Sequence, residues 1–483
     1  MNQKVAVGLV FVSAMFMNIM DITIVNVALP TIGRNFHISP TAVDGIVIAY
    51  LVSLAVFIPA SGWLGDRFGG KRVLLSAIVV FTVGSVLCGL AQNMSELVLF
   101  RVIQGAGGGM LAPVGMAMLF RVFPPAERVR ASSILTIGTT LAPAIGPVLG
   151  GLLVTDLSWR WVFFVNLPIG IAAVTFGFLC LERSAPQEAG MFDIPGFILG
   201  GAGLGLLMYG VSEGPLKSWS DPDVIASCVV GFLLLVALVM VELRTSRPMV
   251  DLRLLTGRLF RSASGVIFLS GAGFLGTLYL VPLYFQDARG LSALQSGLST
   301  FPEAFGVMIG AQFASRLIYP RLGPRRHITI GLLGLAAFTL VLSQVGLTTN
   351  LWLIRGVMFC LGLTVAQIFV PSQAAAFAKI SPAATGRAST LFNTGRQVGS
   401  AVGVAVLSTV LIGIGSTHSV AGVVHPNLRA YHFAFAVAAA FALASTVLSL
   451  AIHDNEAAET MVRRTPHPAR PNDATLSVSE SGT

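Results

Sequence analysis

An all-α protein that crosses a membrane many times is the fold class the sequence predicts, on three observations. Of 483 residues, 54% are hydrophobic and only 11% charged, whereas a water-soluble domain carries about a quarter charged residues. The apolar residues gather into runs of roughly the 20 residues that a helix needs to cross a bilayer core. The basic residues fall in short clusters between those runs. Despite a net charge of +9, that is the pattern of membrane topology and not of nucleic-acid binding. With a mean hydropathy of +0.82, the same figures exclude disorder, a secreted disulfide scaffold and an ordinary soluble enzyme.

Fourteen apolar runs are long enough to span, at about 6–29, 42–63, 73–92, 96–119, 131–154, 161–181, 194–213, 223–242, 261–284, 295–316, 327–346, 350–374, 391–414 and 431–452. The first has no convincing cleavage site and exceeds a signal-peptide core, so it is expected to stay as a helix. With the N-terminus inside, the cytoplasmic segments collect residues such as Arg67, Lys71, Arg72, Arg128, Arg130, Arg325 and Arg326. The opposite loops hold only Arg34, Arg160, Lys217, Arg289 and Arg429. This bias places both termini in the cytoplasm. The tail after Asp454 is polar and proline-containing and is expected to be disordered. Cys88, Cys180, Cys228 and Cys360 stand singly in apolar runs, without metal-ligand or redox spacing, and read as small hydrophobes.

The sequence repeats itself. GDRFGGKR at 65–72 lines up with YPRLGPRR at 319–326, and LVLFR at 97–101 with LWLIR at 351–355, both at an offset of 254; RASSILTIGTTLAPAIG at 130–146 matches RASTLFNTGRQVGSAVG at 387–403 at an offset of 257. Arg101 thereby falls opposite Arg355. Three blocks in one order predict two parallel six-helix halves. The expected division is an N-terminal bundle over 1–181, a linker region with two extra helices over 182–258, a C-terminal bundle over 259–452 and a tail over 453–483. Parallel halves related by an axis along the membrane normal are a transporter design with the substrate site between them.

Ionisable and polar groups inside apolar helices are the candidate functional residues. Asp21 lies about eight residues, or roughly 12 Å, from the outer end of helix 1. An ionised carboxylate at that depth must be paired, protonated or wet. Burial favours its neutral form and a nearby cation its charged form, so a conformational change can load and unload a proton; the alternative is a structural acid permanently paired with an arginine. Arg101 of helix 4 reaches the same depth and can compete with a proton for the carboxylate, or serve as a structural partner. Glu303, after the kinking Pro302, is the other intramembrane acid, suited to a cation, a proton or a hydrogen bond to a neighbouring helix. Asn26, Gln104, Gln367, Asn393, Arg396 and Gln397 are candidates to line a substrate cavity or to bind helices together; an exposed Arg396 would blunt any selection for cations. The loop carrying Gly62, Asp66, Arg67, Gly69, Lys71 and Arg72 is short, glycine-rich and basic, with Asp66 able to cap a helix or pair with Arg121. GAGFLG at 271–276 fits the G-x-G-x-x-G pattern but lies in an apolar helix with no preceding strand, so it reads as a packing surface. No Walker A sequence, metal spacing or nucleophile elbow appears, so neither an ATP-driven pump nor an enzyme is expected.

Five motifs carry a resemblance over about 1–452: MDITIVNVALP at 20–30, GWLGDRFGGKR at 62–72, LFRVIQGAGGGMLAP at 99–113, GTTLAPAIGPVLGG at 138–151 and WRWVFFVNLPIG at 159–170. The chain resembles the major facilitator superfamily, and within it the fourteen-helix drug:proton antiporters. The resemblance implies the major facilitator fold, proton coupling through Asp21 and Arg101, and a cytoplasmic latch formed by the 62–72 loop. It also matches Gly138, Pro143, Gly146, Pro147, Gly150 and Gly151 to the motif that separates exporting antiporters from importers. What it implies is a multi-pass transporter of a bacterial plasma membrane that works as a monomer, without cofactor or metal, driven by the proton gradient. Its partners would be small molecules, protons and lipids, and no nucleic acid; its substrates would be amphipathic drugs, dyes or biocides, often cationic. An exporter dedicated to one metabolite or antibiotic is the near alternative. A non-transporting receptor or scaffold is the alternative from another class, and has no use for buried Asp21, Arg101 and Glu303.

Overall fold

The computed structural model describes residues 2–38, 43, 45–182, 191–215, 217–245, 248–415, 417–420 and 423–461. Each expected run coincides with one long helix: α1 Gln3–Phe36, α2 Gly45–Phe68, α3 Gly70–Leu90, α4 Met94–Val122, α5 Arg128–Asp156, α6 Trp161–Cys180, α7 Ile194–Glu213, α8 Pro222–Arg244, α9 Arg258–Leu283, α10 Ala293–Phe313, α11 Tyr319–Leu342, α12 Leu351–Ala376, α13 Thr385–Ile414 and α14 Leu428–Ser449. Several outrun the apolar stretch because polar side chains close their ends. Asn93 accepts from the Glu96 N–H at the start of α4, and Ser292 with Gln295 forms a capping box on α10. Helical turns run on from α10 into α11 until Gly323, whose φ of +72° breaks the path.

The loop before α14 holds a short antiparallel ribbon, Thr417–Val420 with Val423–Pro426. One expectation about the C-terminal segment needs correction. The tail, expected to be disordered from 453, is helical over Asp454–Met461; residues 462–483 lie outside the described residues. This segment is held by packing. Thr460 shares a hydrogen bond with the Tyr319 hydroxyl at 2.6 Å, and Asp454 accepts from the Arg325 N–H at 2.8 Å. The second copy of the 62–72 motif has Pro320 where the first has Asp66, and Asp454 supplies a carboxylate there from elsewhere in the chain.

The repeat is visible in the packing. In the first group α1 packs on α4, α5 and α6, and α4 also on α2 and α3, while α3 meets α6; α9 to α14 repeat every one of those pairings in order. The contacts also correct the register of α4 against α12. These helices begin at Met94 and Leu351, an offset of 257. Gly107 packs against Phe81 of α3 as Thr364 packs against Gly334 of α11. Arg101 therefore corresponds to Met358, and Arg355 sits one turn nearer the helix start. GAGFLG is a packing surface as expected, with Gly273 against the Ala438 carbonyl and Gly276 against Leu407.

The hydrogen bonds between the two groups gather on one side. The hydrogen bonds joining them among the described residues are Ser61 with Thr390, Arg128 with the Phe377 and Ala378 carbonyls, Ser133 with the Ala311 carbonyl and Asn393 with the Met116 sulfur. All lie toward the side where α1 begins and α14 ends. The hydrophobic cluster on that side mixes both groups, with Phe120 and Leu119 beside Phe377, Phe392 and Phe260. The cluster at the other end of α1, around Ile24, Ala28, Trp159 and Phe163, draws on the first group alone. The helices α7 and α8 form a hairpin that packs on α2 and touches α13. Its connecting loop is tied to one end of α13 by Trp219 donating to Thr409 at 2.7 Å, and the segment that follows α8 is tied to the other end by the Asp251–Arg387 ion pair at 2.8 Å.

Candidate functional site

Asp21 stands inside the first group, wholly inaccessible. Its Oδ2 accepts from Arg101 Nη1 at 2.5 Å, and its Oδ1 accepts from Gln104 Nε2 at 2.8 Å and from Asn166 Nδ2 at 3.2 Å. Arg101 is equally buried. It also donates to Gln104 Oε1 at 2.8 Å and to the Ile46 carbonyl at 3.3 Å, and its guanidinium lies 4.2 Å from the Tyr50 ring centroid. Asn166 donates onward to Ser85, whose hydroxyl donates to the Phe163 carbonyl. Five helices thus supply one polar network around a single ion pair, which the low-dielectric surroundings make strong only while both charges remain.

Local sequence explains why these side chains meet. Arg101 and Gln104 are three residues apart and share a face of α4. The glycine run after them lets α4 approach its neighbours at backbone distance. A Cβ on Gly105 would lie 2.7 Å from the Tyr50 carbonyl, on Gly109 2.4 Å from the Leu54 carbonyl, and on Gly107 2.5 Å from the Phe81 nitrogen. The tight seating presses the Tyr50 ring onto Arg101. On α1, Asn18 donates to the Tyr50 hydroxyl at 2.9 Å.

The glycine- and proline-rich stretch of 138–151 seats α5 on the helix that carries Asp21. A Cβ at Gly146 would fall 2.0 Å from Thr23 Oγ1, and one at Gly150 would fall 2.9 Å from Ile24. Pro143 is half-buried, and a Cβ at Gly151 would meet open space; the side-chain positions of Gly138 and Pro147 lie outside the described residues. Gly146→Leu should separate α5 from α1 and destabilise the bundle, at an overpacking cost of about 1–3 kcal/mol. A variant that unfolds at the wild-type temperature in nanodiscs would show that this seating is dispensable.

The first-copy loop does pair as the sequence suggests. Arg121 Nη2 donates to Asp66 Oδ1 at 2.6 Å. That carboxylate lies at the first turn of α13, where a Cβ on Gly386 would be 3.0 Å from Asp66 Oδ1. Unpaired N–H groups at a helix start favour a negative charge there. Gly62 approaches the same turn so closely that a Cβ would lie 2.7 Å from Thr390 Oγ1. Gly69 takes a φ of +84° to turn into α3. Lys71 is not part of this contact: it donates to the Phe178 and Leu181 carbonyls and closes the end of α6. Arg67 and Arg72 are exposed.

The proposed cavity residues scatter. Gln104 belongs to the Asp21 network. Gln367 is pinned by the Gly310 and Leu363 carbonyls and by His327 Nε2, so it holds helices together instead of facing a cavity. Asn26 is exposed. Asn393, Arg396 and Gln397 stay together on α13, with Arg396 donating to Asn393 at 3.3 Å. Glu303 is buried on α10, its backbone carbonyl against Gly362 of α12, and its Oε1 has no hydrogen-bond partner. Tyr50, Ser85 and Asn166 were missed by sequence reasoning. The signal for Asn166 was present, as an amide in an otherwise apolar run beside Leu167 and Pro168.

Two six-helix repeats around a central seam, with a buried charge pair in one of them, define a membrane transporter and not an enzyme. Residues 11–404 match the family model of the Major Facilitator Superfamily, and the chain belongs to that family. It is 33% identical over 406 residues to the multidrug resistance protein B homolog of Mycobacterium tuberculosis, covering 83% of this chain and 75% of the relative. It is 30% identical over 402 residues to the uncharacterized MFS-type transporter YhcA of Bacillus subtilis, with the same coverage of 83% and 75%. The crystal structure of the human organic anion transporter MFSD10 superposes with a TM-score of 0.66 at 16% identity, covering 93% of this chain and 100% of that one; this likeness concerns the fold alone.

Proposed function

We propose that the protein is a proton-driven antiporter that exports small amphipathic compounds from the bacterial cytoplasm by alternating access, with both termini on the cytoplasmic face. The observation that carries this reading is the Asp21–Arg101 pair. A carboxylate wholly buried in a membrane helix and held by three donors can exchange its counter-ion for a proton only if the helices around it move. That requirement is the coupling an antiporter needs. In the reading, the closed side is cytoplasmic and the parted side faces outward, the state in which a proton enters. Asp66, Arg121, Gly62 and Gly386 latch that state. The relative from Mycobacterium tuberculosis, named for multidrug resistance, supports export and a broad substrate range. A pH-sensitive dye inside acid-loaded everted vesicles tests it. Substrates added outside should trigger proton efflux in wild type and none in Asp21→Asn; vesicles that move compounds with no proton flux would overturn it.

Glu303 enters the proposal as a second proton carrier. Buried without a partner for Oε1, it suits the neutral acid, because an isolated charge at that depth costs several kcal/mol. Glu303→Gln should fold as stably as wild type while lowering the number of protons exchanged per substrate. An unchanged ratio of proton to substrate flux would remove it from the pathway.

A further inference from the structure

Deepening that reading, and resting on it, we infer that the compounds carried bear a negative charge, and that Arg396 binds their anionic group. Arg396 lies about 16 Å into α13, the helix that crosses the seam between the two six-helix groups. It is half-buried, and a Cβ on the preceding Gly395 would meet open space. Among the described residues its guanidinium makes one hydrogen bond, from Nη2 to Asn393 Oδ1 at 3.3 Å, which leaves its other donors without a described protein acceptor. Among the described residues no carboxylate pairs with it, although Arg101, Arg121 and Arg387 each have one.

The acids elsewhere in the helices do not offset it. Asp21 is consumed by Arg101 inside the first group. Glu303 sits on α10 against α12, and no cation among the described residues forms an ion pair with it. The uncompensated charge at the seam is therefore positive. A guanidinium, always charged and planar, presents two parallel donors to a carboxylate or sulfonate. Asn393, whose amide reaches Met116 of the opposite group at 3.5 Å, holds Arg396 beside the contact between the groups, so an anion bound there would touch the region that rearranges. An aryl carboxylate or sulfonate has the shape and sign for this position, whereas a lipophilic cation would meet an unpaired positive charge.

Three probes of one shape test the inference: 1-pyrenebutyrate, its methyl ester and pyrenebutyl-trimethylammonium, measured by fluorescence on the full-length protein in nanodiscs and by transport in everted vesicles. The carboxylate should bind and move best. Arg396→Gln should weaken its binding about tenfold while leaving the ester unchanged, and Arg396→Lys should recover part of the loss, as expected for a charge-assisted hydrogen bond. The ester serves as the check on folding, because a collapsed variant would lose it too; Arg396→Lys then carries the comparison. If the ammonium compound is preferred, or Arg396→Gln treats carboxylate and ester alike, the inference is wrong while the exporter reading stands. If wild type exports none of the three and no other amphiphile, the exporter reading falls and takes the inference with it.

Discussion

Asp21→Asn should lose proton coupling and about 3–5 kcal/mol of stability together, because it leaves the Arg101 charge buried without its counter-ion. Asparagine is nearly isosteric and can keep one of the contacts from Gln104 and Asn166. It cannot neutralise a guanidinium that is itself wholly inaccessible. The two losses are separable. Removing both charges, as in Asp21→Asn with Arg101→Gln, leaves an amide pair that hydrogen-bonds in place of the ion pair, so much of the thermal stability should return while coupling stays absent. Thermal unfolding in nanodiscs and substrate-triggered proton flux measure the two quantities independently. A single variant as stable as wild type, with full counterflow, would mean that the pair neither holds the bundle nor carries protons.

Gly62→Leu should have the other large effect, trapping the transporter with its closed side open. There is no room for a side chain between α2 and α13: a Cβ would already lie 2.7 Å from Thr390 Oγ1 and 3.2 Å from the Gly386 carbonyl. The latter is backbone and cannot rotate aside. Overpacking of this kind costs about 1–3 kcal/mol, enough to shift the ratio of closed to open states roughly 5–150-fold. Spin labels at Val122, the last residue of α4, and at Lys379, just beyond α12, should move apart, and transport should stop even though the Asp21 network is untouched. Asp66→Asn should act in the same direction but more weakly, since it weakens the pairing with Arg121 and the charge at the start of α13 without adding bulk. Unchanged label distances in Gly62→Leu would place the mobile seam elsewhere.

The helices and the repeat were legible in the sequence because membrane spans are long and uniformly apolar, and charges within them stand out. The same contrast exposed Asp21, Arg101 and Glu303. The Asp66–Arg121 pair was legible from its place at two helix ends on one side. What the sequence did not carry was rotation. Whether Gln104 faced a cavity or Asp21 depended on how α4 turns against α1, and that is set by the glycines after Gln104, which act through backbone contacts with α2 and α3. Asn166 and Tyr50 were hidden for the same reason, each being one polar group among many on helices whose facing could not be read. The match of Arg101 with Arg355 failed because three extra residues before α12 shift the register by nearly a turn, and similar pentapeptides concealed it.

The hairpin of α7 and α8 gives the repeat a handedness of behaviour that its symmetry lacks. The two seams, α5 against α10 and α13 against α2, are equivalent by pseudo-symmetry. Among the described residues only the second is clasped, by a helix pair lying on α2 whose loop and following segment are fastened to α13 near both of its ends. If the two groups rock as proposed, the free seam can part and close as a simple mouth. The clasped one would then have to drag or slide a helix pair belonging to neither side, and would act as the stiff hinge of a lever whose travel is largest along the opposite flank.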